Sequence, residues 1–81
     1  MNITVYSTTT CPFCKLEKEW LAEKGVAFTS KVVDEHPGLA EELISRTNQL
    51  SVPVTIIEKE GKETVVVGFD KKRLAEAIGI S

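Results

Sequence analysis

The first third of the chain runs strand, helix, strand, and that order leaves little freedom in how it folds. Ile3 and Val5 alternate with Thr4 and Tyr6, which predicts a first strand over residues 2–7. Ser7-Thr8-Thr9-Thr10 is a polar loop. Pro12 suits the first helical position, where its missing N–H costs nothing, and Phe13, Leu16, Trp20 and Leu21 follow at helical spacing toward Gly25, a natural C-cap. This predicts a helix over about residues 12–24. A second strand fits Ala27 to Val33, where β-branched residues dominate. Two strands joined by a helix in this way lie parallel in one sheet.

Beyond that unit, Pro37 restarts a helix whose apolar face is Leu39, Ala40, Leu43 and Ile44, with Arg46 in its last turn. Glu41 and Glu42 are expected on its solvated side. Val52–Ile57 and Thr64–Val67 are β-rich and separated by Glu58-Lys59-Glu60-Gly61-Lys62-Glu63, an antiparallel hairpin with a charged tip. Asp70 is placed to cap a final helix with Leu74, Ala77 and Ile78 inside. The expected class is α/β: a four-stranded mixed sheet flanked by three helices. With no repeat, low-complexity run or linker, a single domain covers residues 1–81.

Composition narrows the function classes. A net charge of −2 argues against nucleic acid or an anionic membrane as partner, since both reward excess Lys and Arg. No stretch approaches the roughly 20 apolar residues of a membrane-spanning helix. The N-terminus begins directly as a strand, without the basic head and apolar run of a secretory signal, so a cytoplasmic address is expected by default. Separately, a monomer is expected.

The chain has two cysteines, in Cys11-Pro12-Phe13-Cys14. One short-range pair reads as redox chemistry or as half a metal site, and composition alone does not choose. Position does more. Cys11 stands at the start of the first helix, where unpaired N–H groups and the helix dipole favour a thiolate, the reactive form in disulfide exchange. Cys14, one turn further in, is expected to be less exposed and to act as the resolving thiol, which breaks the mixed disulfide formed at Cys11. A structural zinc needs four ligands, and the chain offers Cys and His only at Cys11, Cys14 and His36. A purely structural Cys11–Cys14 brace would close too short a loop to stabilise much.

Three blocks give the chain a family resemblance: Val5-Tyr6-Ser7-Thr8-Thr9-Thr10-Cys11-Pro12-Phe13-Cys14, Ser51-Val52-Pro53 and Val67-Gly68-Phe69-Asp70. Together they resemble the glutaredoxin family over essentially the whole chain, and most closely its NrdH-type redoxins and short glutaredoxin-like proteins. The resemblance implies a minimal thioredoxin fold and a dithiol oxidoreductase that reduces protein disulfides, including that of ribonucleotide reductase, with no bound cofactor or metal. It implies a cis bond before Pro53, a Val52 backbone that pairs with substrate, and a Gly68-Phe69-Asp70 loop flanking the same groove. Thr8, Pro12, Phe13 and Gln49 complete the implied substrate-binding set.

Two departures bear on the electron donor. Glutathione-binding members usually carry a lysine where this chain has Thr8, and a Gly-Gly pair where it has Gly68-Phe69. The Gly-Phe form is similar to redoxins that draw electrons from NADPH through thioredoxin reductase. Cys-Pro-Phe-Cys, in contrast, is closer to the Cys-Pro-Tyr-Cys of glutathione-dependent glutaredoxins. A binding module holding an iron–sulfur cluster between two chains is a further alternative, disfavoured by Pro12.

The remaining notable residues have plainer roles. Trp20 fits the core. His36 suits a helix cap or solvent. By propensity alone Pro53 would be an ordinary trans proline opening a strand. Lys71-Lys72-Arg73 oppose the dipole of the last helix, and are either a solvated face offset by Asp70 or a cationic rim for an acidic partner.

Overall fold

Strand β1 (Asn2–Ser7) is flanked on one side by a parallel β2 (Thr29–Val32) and on the other by an antiparallel β3 (Val54–Lys59), which pairs in turn with β4 (Lys62–Val67). Helix α1 (Pro12–Glu23) joins β1 to β2, α2 (Leu39–Thr47) joins β2 to β3, and α3 (Lys71–Ile78) follows β4. This is the expected mixed four-stranded sheet with three helices. The computed structural model describes residues 1–80; Ser81, the end of the expected domain, lies outside the described residues.

Period-two alternation divides the core between the faces of the sheet. Ile3, Val5, Ile57 and Val66 pack with Leu21 of α1 and with Leu74 and Ile78 of α3. Tyr6, Val54 and Ile56 pack with Leu43 of α2 on the other face. Asp70 caps α3 as expected, accepting from the Arg73 N–H at 3.1 Å.

Several boundaries and faces differ from the sequence expectation, each for an identifiable reason. β2 is shorter than expected, Thr29–Val32, the stretch that pairs with Thr4 to Ser7 of β1, while Phe28 packs against the α1 side of the core. β3 starts at Val54, after a proline that has no N–H for the ladder. The hairpin is tighter than expected: only Glu60 and Gly61 lie outside the strands, at φ 53° and 79°, as a type I′ turn requires. That register sets Glu58 directly opposite Glu63, and Arg46 of α2 reaches both carboxylates, at 3.3 and 2.9 Å. In α2, Leu43 is buried while Ile44 is 45% exposed. Glu42 is not merely solvated: it accepts from the Tyr6 hydroxyl at 2.5 Å and from Lys31 at 2.7 Å. These donors hold its carboxyl below the ordinary range, while Lys31 is held above its own.

Helix α1 buries a stripe that its apolar spacing alone does not mark. Its buried stripe is Cys14, Glu17 and Leu21; Phe13 and Leu16 are 62% and 48% exposed, and Trp20 packs at the margin of the core. Cys14 and Glu17 take the inward face of the first two turns, so Phe13 and Leu16 face outward beside the cysteines.

Candidate active site

Topology brings the chemistry to one end of the sheet. β1 ends at Ser7, level with Val32 of β2 and one pair beyond the Tyr6–Val54 and Val54–Val67 matches. The residues that continue these strands therefore gather there: Thr8 to Cys11 after β1, Pro53 before β3, and Gly68 after β4. A hydrogen bond from the Gly68 N–H to the Pro53 carbonyl, 2.8 Å long, ties the last two together. The Val52–Pro53 bond is cis.

Cys11 is the N-cap of α1, with extended backbone, and its sulfur accepts from the Cys14 N–H at 3.1 Å. Pro12 occupies the first turn, which contains no acidic residue. Sulfur at this position receives both a direct N–H and the positive end of the helix dipole, and both favour a thiolate. Cys14 is 1% exposed and Cys11 is partly open to solvent, the asymmetry expected of them. The two sulfurs are paired, with Cα atoms 5.3 Å apart. The approach to Cys11 is steadied by Thr9, whose N–H and hydroxyl both donate to Asp34, at 3.1 and 2.6 Å, keeping that carboxyl below its ordinary range.

An open cleft of about 570 Å³ on the β2 side of the motif is lined by Thr8, Cys11, Pro12 and Cys14 from the expected set, with Lys15 and Glu35 among the charged residues. Phe13, Gln49, Val52, Pro53, Gly68, Phe69 and Asp70 do not line it. Pro53 is buried, and the Val52 side chain packs toward Tyr6 and Leu43. Phe69 stands edge-on to Trp20, ring centroids 6.2 Å apart, with the Lys71 ammonium 5.6 Å from its ring. Gln49 lies in the loop after α2, where its carbonyl accepts from Thr47. Asp70 spends its carboxylate on capping α3. Among the described residues, no group of three or more His, Cys, Asp or Glu could hold a metal ion.

Sequence reasoning missed Glu17. It is fully buried, and Thr55 donates its hydroxyl to it. Burial pushes its carboxyl up to about 6, against the opposing effects of Thr55 and Lys18. Its spacing was a usable signal: three residues after Cys14 and four before Leu21, it shares a helix face with both.

The glutaredoxin family model matches residues 3–61. The chain is 37% identical over 76 residues to a protein of Clostridium pasteurianum described as an uncharacterized glutaredoxin-like 8.6 kDa protein in the rubredoxin operon, covering 94% of this chain and 96% of that one. It is 34% identical over 59 residues to glutaredoxin 3 of Escherichia coli strain K12, covering 73% and 71% of the two chains. Its fold matches the NrdH-redoxin of Escherichia coli, a glutaredoxin-like protein described as having a thioredoxin-like activity profile, with a TM-score of 0.76 and 26% identity over 94% of this chain and 93% of that one. This chain belongs to the glutaredoxin family of thiol–disulfide oxidoreductases, and Cys11 and Cys14 are its cysteine pair.

Proposed function

We propose that the protein is a dithiol redoxin that reduces protein disulfides and is itself reduced by thioredoxin reductase with NADPH. Cys11 attacks the substrate disulfide, and Cys14 resolves the mixed disulfide, leaving the Cys11–Cys14 bridge for the reductase. The helix-capping sulfur of Cys11 and the burial of Cys14 support this division. The disulfide of ribonucleotide reductase is a fitting substrate, in a reducing compartment such as the cytoplasm, where a cysteine pair of this kind cycles.

The observation that carries the choice of reductant is Phe69. It follows Gly68, which is bonded to Pro53, so a bulky ring propped on Trp20 occupies the loop where a second glycine would let glutathione approach the backbone. Thr8 stands beside Cys11 where glutathione-binding relatives usually carry a lysine, and the cations that line the cleft, Lys15 and Lys18, come from α1 instead. The thioredoxin-like profile of the NrdH-redoxin supports the same assignment. Cys-Pro-Phe-Cys and the similarity to glutaredoxin 3 favour a second reading, a glutathione-dependent glutaredoxin.

Feeding the oxidised protein by each route, while following NADPH consumption, separates the two. Rapid turnover with thioredoxin reductase and slow turnover with glutathione plus glutathione reductase is expected. The opposite ranking establishes the second reading.

A further inference from the structure

Beside the cysteine pair the interior is polar where packing alone would make it apolar. Among the described residues, the buried polar or charged side chains are Ser7, Glu17 and Thr55, and all three belong to one interface. Strand alternation puts Ser7 on the face that Ile3 and Val5 present to Leu21 of α1. Thr55 stands opposite Val5 in the β1–β3 register and shares that face. Helix spacing puts Glu17 one turn after Cys14 on the buried stripe of α1. Thr55 donates to one carboxylate oxygen of Glu17; the other oxygen, and the Ser7 hydroxyl, are buried without a partner.

A carboxyl there is a poor structural choice, because a buried acid with an unpaired oxygen weakens the fold and an apolar side chain would fill the space better. It suits a proton acceptor whose ionisation lies close to neutrality. The surroundings favour such a value. The β3 side contributes the neutral hydroxyl of Thr55, the β1 side that of Ser7, and α3 contributes Leu74 and Ile78 to the same core; the charge acting on Glu17 is Lys18 of its own helix.

We infer that Glu17 is the proton store for Cys14, accepting the thiol proton when Cys14 resolves a mixed disulfide and returning it when the Cys11–Cys14 bridge is reduced. In resolution, the Glu17 carboxylate takes the proton from the Cys14 S–H, and the Cys14 thiolate attacks the Cys11 sulfur. The Cys11–Cys14 bond forms and the Cys11–substrate bond breaks. The substrate sulfur leaves with the electron pair and is protonated by water, so the protein loses two electrons and the substrate disulfide gains them. In the reverse half, a donor thiolate attacks Cys11, and Cys14 leaves as a thiolate that takes its proton from the Glu17 carboxylic acid. Glu17 acts through Cys14 and positions its proton; substrate stays at Cys11. The inference rests on the roles of Cys11 and Cys14 proposed above and is independent of the reductant.

Stopped-flow reaction of the reduced full chain with dithiobis-nitrobenzoate tests it. Attack by Cys11 releases one coloured thiol in a bimolecular burst. Resolution by Cys14 releases a second, in a step independent of reagent concentration. The wild-type resolution rate should rise through an inflection near pH 6, the value about 6 of the buried carboxyl. In Glu17→Gln the inflection should vanish, and the ratio of resolution rate to attack rate should fall roughly a hundredfold at neutral pH, the low end of proton-transfer assistance. An unchanged ratio in a folded Glu17→Gln overturns the inference. Should Glu17→Gln not fold, a wild-type profile without the inflection overturns it equally, and Thr55→Val, which removes a donor to the carboxylate, should raise the inflection. Absence of the bimolecular burst in wild type would contradict the role of Cys11 instead.

Discussion

Thr55 donates its hydroxyl to Glu17 across the interface between β3 and α1, which puts a titratable group inside the larger of the two core clusters. The folded carboxyl sits at about 6 against an ordinary 4.5. Because the folded value is raised, the associated stability is fully present below the unfolded value and is lost as pH climbs through the folded one. Wild type should therefore weaken relative to Glu17→Gln by about 2 kcal/mol between pH about 4 and about 7. Urea unfolding of both proteins across that range measures it, and parallel stability curves would contradict the placement of Glu17.

On the opposite face, Tyr6 donates to Glu42 and accepts from Arg46 at 3.2 Å, joining β1 to α2. Tyr6→Phe keeps the ring that packs on Leu43 and removes only the hydroxyl. A loss of about 1 kcal/mol in equilibrium unfolding is expected. Lys31 and Glu63 still pair the two charges left behind, so a much larger loss would mean that the hydroxyl organises the whole network.

Asp70 holds the first turn of α3 against three consecutive cations, Lys71, Lys72 and Arg73. Asp70→Ala should cost about 1 kcal/mol of stability, the usual worth of an N-cap. Asp70→Ser, which keeps a capping oxygen, should recover most of it. Equal losses in both variants would show that charge, and not the cap, is what matters.

Much of this architecture was legible because local signals agreed with one another: the alternation of β1, the charged hairpin tip, and Asp70 ahead of Leu74 and Ile78. The cysteine pair was legible too, since Pro12 marks the helix start and so fixes which sulfur caps it. The phase of α1 was not. Phe13 and Leu16 carry the apolar signal that periodicity detects, yet they belong to an exposed surface beside the motif. Glu17 carries a surface signal and lies inside, because a charged residue enters a core only where a partner such as Thr55 waits, and that partner is 38 residues away in sequence. The role of Glu42 was hidden likewise, its donor Tyr6 being 36 residues distant.

The choice of reductant can be tested by gain of function. Thr8→Lys restores a cation beside Cys11, and Phe69→Gly clears the loop after Gly68. A charge-assisted hydrogen bond is worth about 1.5–3 kcal/mol, so Thr8→Lys alone should lower the glutathione concentration needed for half-maximal turnover roughly ten- to a hundredfold. Phe69→Gly should add to the gain, although it also removes the edge-on contact with Trp20 and should lower stability. No gain from either variant would mean that these positions do not govern access of glutathione.

The most direct test of the account is the order in which the two thiols of the reduced protein are alkylated. The N-cap geometry gives Cys11 the donor and the dipole, while Cys14 is buried a turn further along α1. Brief iodoacetamide treatment at a series of pH values, with the modified residue identified by mass spectrometry, should label Cys11 first. Its apparent thiol pKa should lie well below the roughly 8.5 of a free cysteine. Labelling of Cys14 first, or of both thiols alike with titration near that ordinary value, would contradict it.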